Sequence, residues 1–298
     1  MTVPPSEEAA GKGEQGSARE RPPLEWETKE QLEKELAKIA EWERGQKDLW
    51  FWEKLGRLPF VLLDKLTPKA IQQKIGQAID ELGGYVQTGG RYLVSEKSVL
   101  ESLARAAKDT GYKGSPPATV AEAGRLPLAT MDMAADRLTE SRKTFAAVQG
   151  ATTGFGGFFT LAIDIPALLG LSLKVLQEIA ICYGFDPNDP KERVFIVKCL
   201  QFSSSDIVGK RAVLDDLNTF EGDSKDKQLA SQLQGWREAV AMYRDNFGWK
   251  KLFQLVPVAG MLFGALLNKS TVHDVAEAGK MLYRKRAIVG RLQTGTST

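Results

Sequence analysis

Residues 144–183 read TFAAVQGATTGFGGFFTLAIDIPALLGLSLKVLQEIAICY and form the most unusual stretch of the chain. Only Asp164, Lys174 and Glu178 are charged, and the first twenty residues carry no charge. An uncharged run of about 20 residues meets the simplest criterion for a transmembrane helix. However, Asp164 followed by Pro166 predicts a helix break near the middle. We therefore expect two helical elements instead of one span.

The later element should run from about Ile165 to Cys182. In a bilayer it would bury Lys174 and Glu178, and a central lysine costs about 2.5–3.5 kcal/mol. A helix in a protein core is the cheaper arrangement. Asp164 is expected to cap this helix at its N-terminus. If the helix is instead continuous, Asp164, Lys174 and Glu178 form a polar stripe, which would be a buried ion network or the wall of a ligand site.

A second uncharged segment covers residues 252–268 and has lysines on both sides, at Lys250, Lys251 and Lys269. Its 17 residues include Pro257, so it is marginal as a membrane span. Glycines four positions apart allow two helices to approach closely, in a membrane or in a soluble core. We expect close helix contacts at four glycines of the two segments: Gly154, Gly157, Gly260 and Gly264.

The remaining chain shows helix signals and hardly any of the apolar–polar alternation that indicates strands. Capping patterns begin at Thr28, Ser95, Asp189 and Thr271. We expect helices over about 28–47, 68–82, 95–108, 129–148, 189–202, 224–245 and 271–288, with a turn at 203–206. The sequence therefore predicts an all-α protein, a multi-helix bundle-like domain built around the two apolar, glycine-rich segments.

The composition of the chain suggests five parts. Residues 1–27 are polar and carry no apolar stretch, so we expect a disordered tail and no secretion signal. Residues 28–112 form N-terminal helices, and glycines and prolines mark 113–127 as a loop. Residues 128–290 form the helical core, and 291–298 form a C-terminal tail.

Charge and cysteine content restrict the class of protein. Forty basic and 38 acidic residues leave a net charge of +2, which is too small for a dedicated nucleic-acid binder. Cys182 and Cys199 lie in apolar helical surroundings, where free cysteine behaves as a small hydrophobic residue. We expect buried thiols in a reducing compartment and a cytoplasmic protein.

No catalytic constellation is evident. His273 is the only histidine, so every histidine-dependent triad or metal site would have to use it. The neighbouring Asp274 cannot orient it, because adjacent helical residues point in different directions. The glycine cluster at 150–157 lacks the lysine and hydroxyl residue of a phosphate-binding loop. We predict no enzymatic activity, no catalytic residue, no cofactor and no metal.

Two further features suit a lipid surface. Tryptophans and interleaved basic residues near Trp50 and Trp52 are typical of an interfacial amphipathic element, although a core helix with an ordinary solvated face explains them as well. Basic residues near an anionic leaflet add about 1 kcal/mol each. The predicted membrane-contact residues are Trp50, Trp52, Lys250, Lys251, Arg284, Lys285 and Arg286.

Several short motifs resemble those of one bacterial family. They are GATTGFGG at 150–157, DIP at 164–166, IAICYGFD at 179–186, Glu192-Arg193, and PVAG at 257–260 with Gly264, Asn268 and Val275-Ala276 behind it. Together they resemble the central and closing motifs of the EcsC family, and the resemblance covers about residues 50–288. The family takes its name from an operon that also encodes an ABC transporter, which implies a role accessory to membrane transport. It implies no catalytic residues.

Two functions compete on this basis. The first is a non-enzymatic helical protein that is peripherally associated with the inner face of a bacterial membrane, with an anionic membrane surface or a membrane protein as its partner. The second is a soluble helical module that binds a hydrophobic ligand or a protein partner, in a cavity bordered by Leu171, Lys174 or Glu178. A hydrolase of unfamiliar design is a third hypothesis that no group of residues supports.

Overall fold

The computed structural model describes residues 26–46, 94–154, 158–205, 207–219 and 257–295. Within these ranges the chain forms eight helices and no strands, which confirms the all-α prediction. The predicted helices at 68–82 and 224–245 lie outside the described residues. The helices are α1 (Lys29–Gly45), α2 (Glu96–Asp109), α3 (Val120–Ala123), α4 (Leu128–Gly154), α5 (Phe158–Cys182), α6 (Pro190–Ser204), α7 (Ile207–Thr219) and α8 (Pro257–Gly295).

Three predicted helix starts are confirmed. Thr28 and Gln31 form a capping box at α1, in which the Thr28 amide donates to Gln31 Oε1 at 2.8 Å. Ser95 caps α2. Asp189 caps α6, with Pro190 at the first helical position, where a missing N–H costs no hydrogen bond. These starts follow from local chemistry alone.

The predicted loop at 113–127 holds one turn of helix, α3, and is packed into the protein. Val120, Ala123 and Leu126 are buried in the same apolar core as the long helices. Gly184, with φ of +80°, approaches this loop so closely that a Cβ there would lie 2.5 Å from the amide nitrogen of Gly124. The turn between α5 and α6 therefore requires glycine for two reasons, its backbone conformation and its close contact.

The expected break at Asp164 is wrong. Helix α5 begins at Phe158 and is continuous through Asp164 and Pro166, so Asp164 does not cap a helix. The glycine-rich junction after Gly154 separates α4 from α5 instead. A proline inside a helix removes one hydrogen bond and costs about 3 kcal/mol or more. The burial of most of α5 beyond residue 167 offsets that cost.

The expected start at Thr271 is also wrong. Helix α8 runs unbroken from Pro257 to Gly295, and Thr271 lies inside it. The Thr271 hydroxyl donates to the carbonyl of Leu267 at 2.8 Å, a bond that serine and threonine make within helices as well as near their ends. The helix also continues past residue 290, where we placed the end of the core. Helix α7 was not predicted.

Helix α8 is the axis of the bundle and packs against α1, α4, α5 and α6. It is antiparallel to α4, because Lys280 binds Asp136 and Arg284 binds Asp132 at one end of the pair while Gly264 meets Gly150 at the other. Helix α6 lies at the centre, and every residue from 192 to 202 except Lys198 is buried. The described helices therefore share one core.

Candidate functional site

Two residues of the polar stripe of α5, Lys174 and Glu178, belong to an ion network around one buried carboxylate. Glu178 is 3% exposed, and its two carboxylate oxygens accept hydrogen bonds from Arg142 Nε at 2.9 Å and Nη2 at 2.7 Å. Lys174 Nζ lies 3.6 Å from the same carboxylate. The hydrogen bond from Arg142 to Glu178 raises the pKa of the guanidinium. Leu171 is buried nearby in the chain, and the Asp164 side chain lies outside the described residues.

The two uncharged segments meet at a glycine contact. A Cβ at Gly150 would lie 2.5 Å from the carbonyl carbon of Gly264 and 2.9 Å from Nδ2 of the buried Asn268. No side chain fits there, because backbone atoms of a helix cannot move aside cheaply. The expected close contact at Gly264 is thus confirmed, with Gly150 as its partner. The other three glycines, Gly154, Gly157 and Gly260, have surroundings outside the described residues.

Large hydrophobic side chains remain exposed around this contact. Phe145 is 57% exposed, Val148 61% and Leu266 64%. In the antiparallel register of α4 and α8, all three lie within about five residues, or about 8 Å along the axis, of the Gly150–Gly264 contact. We call this set of three residues the apolar end. Among the described residues, the other exposed large hydrophobic side chain is Trp26, which binds Arg125.

The basic run of α8 lies in ion pairs. Arg284 Nε is 3.0 Å from both oxygens of Asp132, and its Nη2 is 2.9 Å from Glu35. Lys285 Nζ is 2.7 Å from Glu43. A role of this run in lipid contact stays a prediction, and the observed pairs neutralise its charge within the fold. The other predicted membrane-contact residues, Trp50, Trp52, Lys250 and Lys251, lie outside the described residues.

Arg286, the third residue of the run, is enclosed by aromatic rings. Its guanidinium carbon is 4.3 Å from the ring centre of Phe185 and 4.2 Å from that of Phe195, within cation–π range. Its two terminal nitrogens bind both oxygens of the buried Glu192, at 2.7 and 2.8 Å. The cage is filled by the protein's own cation. Sequence reasoning missed it because Glu192 and Arg286 are 94 residues apart in the chain and lie on different helices.

Arg193, which follows Glu192 in α6, lies in a different environment from Arg286. It is 8% exposed, and its Nε and Nη1 atoms have no hydrogen-bond partner in the part of the chain that the structure describes. A buried unpaired cation is costly. The sequence did not show that Glu192 would bind a cation while two nitrogens of Arg193 would have no partner in the described ranges, because the two residues belong to the same short motif.

The two thiols and the Tyr183 hydroxyl, which could take part in thiol or acid–base chemistry, are buried. Burial raises the pKa of both thiols, Cys182 and Cys199, which are free and fully enclosed, as predicted. Burial, with a smaller effect of Asp132, raises the pKa of Tyr183, whose hydroxyl donates to Asp132 at 2.6 Å. His273 is exposed.

Two kinds of feature are absent from the described ranges. These ranges contain no group of three or more histidine, cysteine, aspartate or glutamate side chains that could hold a metal ion. None of the helices described is both long and apolar enough to cross a bilayer.

Comparisons with known proteins identify the family. The model of the EcsC protein family matches residues 33–288, so the chain belongs to the EcsC family, and the resemblance of its motifs is confirmed. It is 55% identical to the uncharacterized protein YdbA of Bacillus subtilis (strain 168) over 267 residues, which cover 90% of this chain and 96% of that protein. It is 27% identical to the protein EcsC of the same organism over 220 residues, 74% of this chain and 85% of that one. No solved structure matches the chain at a significant level.

Proposed function

We propose that this protein is a non-enzymatic helical protein that associates peripherally with the inner face of a bacterial membrane through its apolar end. The observation that carries the proposal is the exposure of Phe145, Val148 and Leu266, each by more than half, at one end of the α4–α8 pair. Because Phe145 and Val148 of α4 and Leu266 of α8 lie at the same level along the helix pair, insertion of this end into a bilayer would cover all three. A bilayer would bury them and so recover the free energy that their exposure costs.

A lipid surface suits this end because its sequence surroundings lack charge. Residues 144–163 and 252–268 carry no charged side chain, and the Gly150–Gly264 contact brings parts of both runs together. The polar groups at the rim of a protein partner would find few charged groups there with which to pair. Lys269, three residues after Leu266, is exposed and suits the headgroup layer above a shallowly inserted apolar surface.

A role accessory to membrane transport belongs to the same proposal. It is supported by membership of the EcsC family, and it makes an anionic membrane surface, or a membrane protein within it, the partner. The apolar end would then hold the helical bundle at the membrane. None of the buried ion networks takes part in this contact.

Co-sedimentation with lipid vesicles tests the proposal. The protein should sediment with vesicles of anionic lipid at low salt, and alkaline carbonate should release it. The triple variant Phe145→Ser, Val148→Ser, Leu266→Ser should lose most of the binding, whereas Trp26→Ser, which alters the exposed hydrophobic residue at the other end, should not.

Two results would contradict the proposal. Recovery of the wild-type protein wholly in the supernatant at low salt would favour the alternative, a soluble helical module that binds a hydrophobic ligand or a protein partner. Equal sedimentation of the wild type and the triple serine variant would show that the apolar end is not the contact.

A further inference from the structure

The first helix lies along α8 in a regular antiparallel register. Glu27 binds Arg291 through contacts of 2.5 Å, and Arg284 Nη2 is 2.9 Å from Glu35. Trp42 Nε1 donates to Glu277 at 3.0 Å. The three positions on α8 are spaced by seven residues, and those on the first segment by eight and seven. Seven residues are two helical turns, the repeat with which paired helices keep one face in contact.

Most of these contacts are ion pairs, and in each pair the cation belongs to α8 and the carboxylate to the first segment. Three cations of α8 bind three carboxylates of residues 27–43: Arg291 with Glu27, Arg284 with Glu35, and Lys285 with Glu43. The carboxylates are only 14–26% exposed, so the pairs lie between the helices and not at their outer edges. The segment thus shares in neutralising these cations, because Arg284 also binds Asp132 of α4 and Arg291 also donates to the carbonyl of Leu126 at 2.6 Å.

The same interface has an apolar centre. Leu32 and Ile39, seven residues apart on α1, are fully buried, and Leu36 and Trp42 pack partly against the core. The inner face of α1 is therefore an apolar strip, and three cations and Glu277 of α8 border it. An apolar strip with basic borders is the pattern of elements that lie in the headgroup layer of an anionic membrane.

We infer that α1 is an acidic strap that covers a basic, apolar face of α8, and that displacement of the strap exposes this face to anionic lipid. The inference rests on the proposed function and adds a second contact to it. The strap and the lipid headgroups compete for the same cations, so weakening the three carboxylate contacts strengthens vesicle binding. The partner is the anionic lipid surface, because the face carries three cations and the strap that now covers it is acidic where it touches them.

Neutralising the strap tests the inference. The triple variant Glu27→Gln, Glu35→Gln, Glu43→Gln keeps hydrogen-bond acceptors, including the one at Glu27 that receives the Leu128 amide at 2.6 Å. It should bind vesicles of phosphatidylglycerol about tenfold more tightly than the wild type, because Arg284 and Arg291 keep their other partners and the attraction gained corresponds to about one cation near an anionic surface. Vesicles of phosphatidylcholine should show no gain. Circular dichroism melting would verify that the variant is folded.

The same helix provides a matched control. Glu30, Glu33 and Glu41 are exposed, and their replacement by glutamine removes the same three charges. This control should change binding less than twofold. Adding Arg284→Gln and Lys285→Gln to the strap variant should abolish most of its gain.

The outcomes separate the strap from the proposed function. If the strap variant binds no more tightly than the wild type, or no more tightly than the control, the inference is wrong, although a wild type that binds through the apolar end would leave the proposed function intact. If the strap variant binds and the wild type does not, the inference about the strap is supported, and the proposed membrane contact through the apolar end is not. If neither binds, both are wrong.

Discussion

Replacing Gly150 by alanine should destabilise the protein, although alanine is the better helix former. The added Cβ would lie 2.5 Å from the carbonyl carbon of Gly264 and 2.9 Å from Asn268 Nδ2, so the two helices must separate. Overpacking of this kind costs about 1–3 kcal/mol. The gain in helix propensity returns about 0.5–1 kcal/mol. Because the clash is with backbone atoms of Gly264, the upper half of that cost applies, and the net loss should be about 1–2 kcal/mol.

Gly170 provides the matched control. It lies inside α5, as Gly150 lies inside α4, but a Cβ there would meet nothing within 4 Å. Gly170→Ala should therefore stabilise the protein by about 0.5–1 kcal/mol. Urea denaturation of the two variants measures the free energy of unfolding and should give opposite signs. If Gly150→Ala stabilises the protein as Gly170→Ala does, the two uncharged segments do not approach at Gly150, and the placement of the apolar end is wrong.

Three further predictions concern buried groups. Arg142→Met should lower the free energy of unfolding by about 3 kcal/mol in urea denaturation, because it leaves a buried carboxylate without its main partner; a loss below 1 kcal/mol would mean that the pair is open to water. Cys182 and Cys199 should react with a thiol reagent only after unfolding, then as two thiols per chain; fast labelling of the native protein would contradict their burial. Arg286→Met should cost about 3–5 kcal/mol, whereas Arg193→Met should be neutral or stabilising; a large loss for Arg193→Met would reveal a partner outside the described residues.

Local signals in the sequence predicted the fold class and several helix starts. Thr28, Ser95 and Asp189 each cap a helix through atoms within three residues, so the interaction is visible in the sequence itself. The same kind of signal failed at Thr271 and Asp164, where the chain stays helical. A hydroxyl or a proline allows a helix end without requiring one, and packing of the surrounding helix decides.

The candidate sites depended on contacts that no local pattern contains. Glu178 was identified as part of a polar stripe, but its partner Arg142 is 36 residues away on another helix. The acidic partners of Arg284 and Lys285 on α1 are more than 240 residues distant in the chain, so the sequence did not show that these cations lie in ion pairs. Charge in a sequence predicts that a partner exists, and only the fold shows whether it is internal.

The glycine contact was predicted only in part. A cluster of glycines in two uncharged segments predicted close helix packing, and Gly264 confirms it. The pairing with Gly150 required the register of α4 against α8, which long-range ion pairs such as Asp136–Lys280 help to fix. The glycine pattern therefore predicted the kind of contact and not its location.

The most direct test of the membrane proposal is an environment-sensitive fluorophore at the apolar end. Because the native thiols are buried, a single cysteine at Val148 can be labelled selectively, and Ala129→Cys serves as a control that is exposed about 28 Å away along α4. On addition of phosphatidylglycerol vesicles, the emission of the label at position 148 should shift to the blue and grow stronger, while that at 129 should not change. An unchanged spectrum at position 148, under conditions in which vesicles sediment the protein, would contradict insertion of the apolar end.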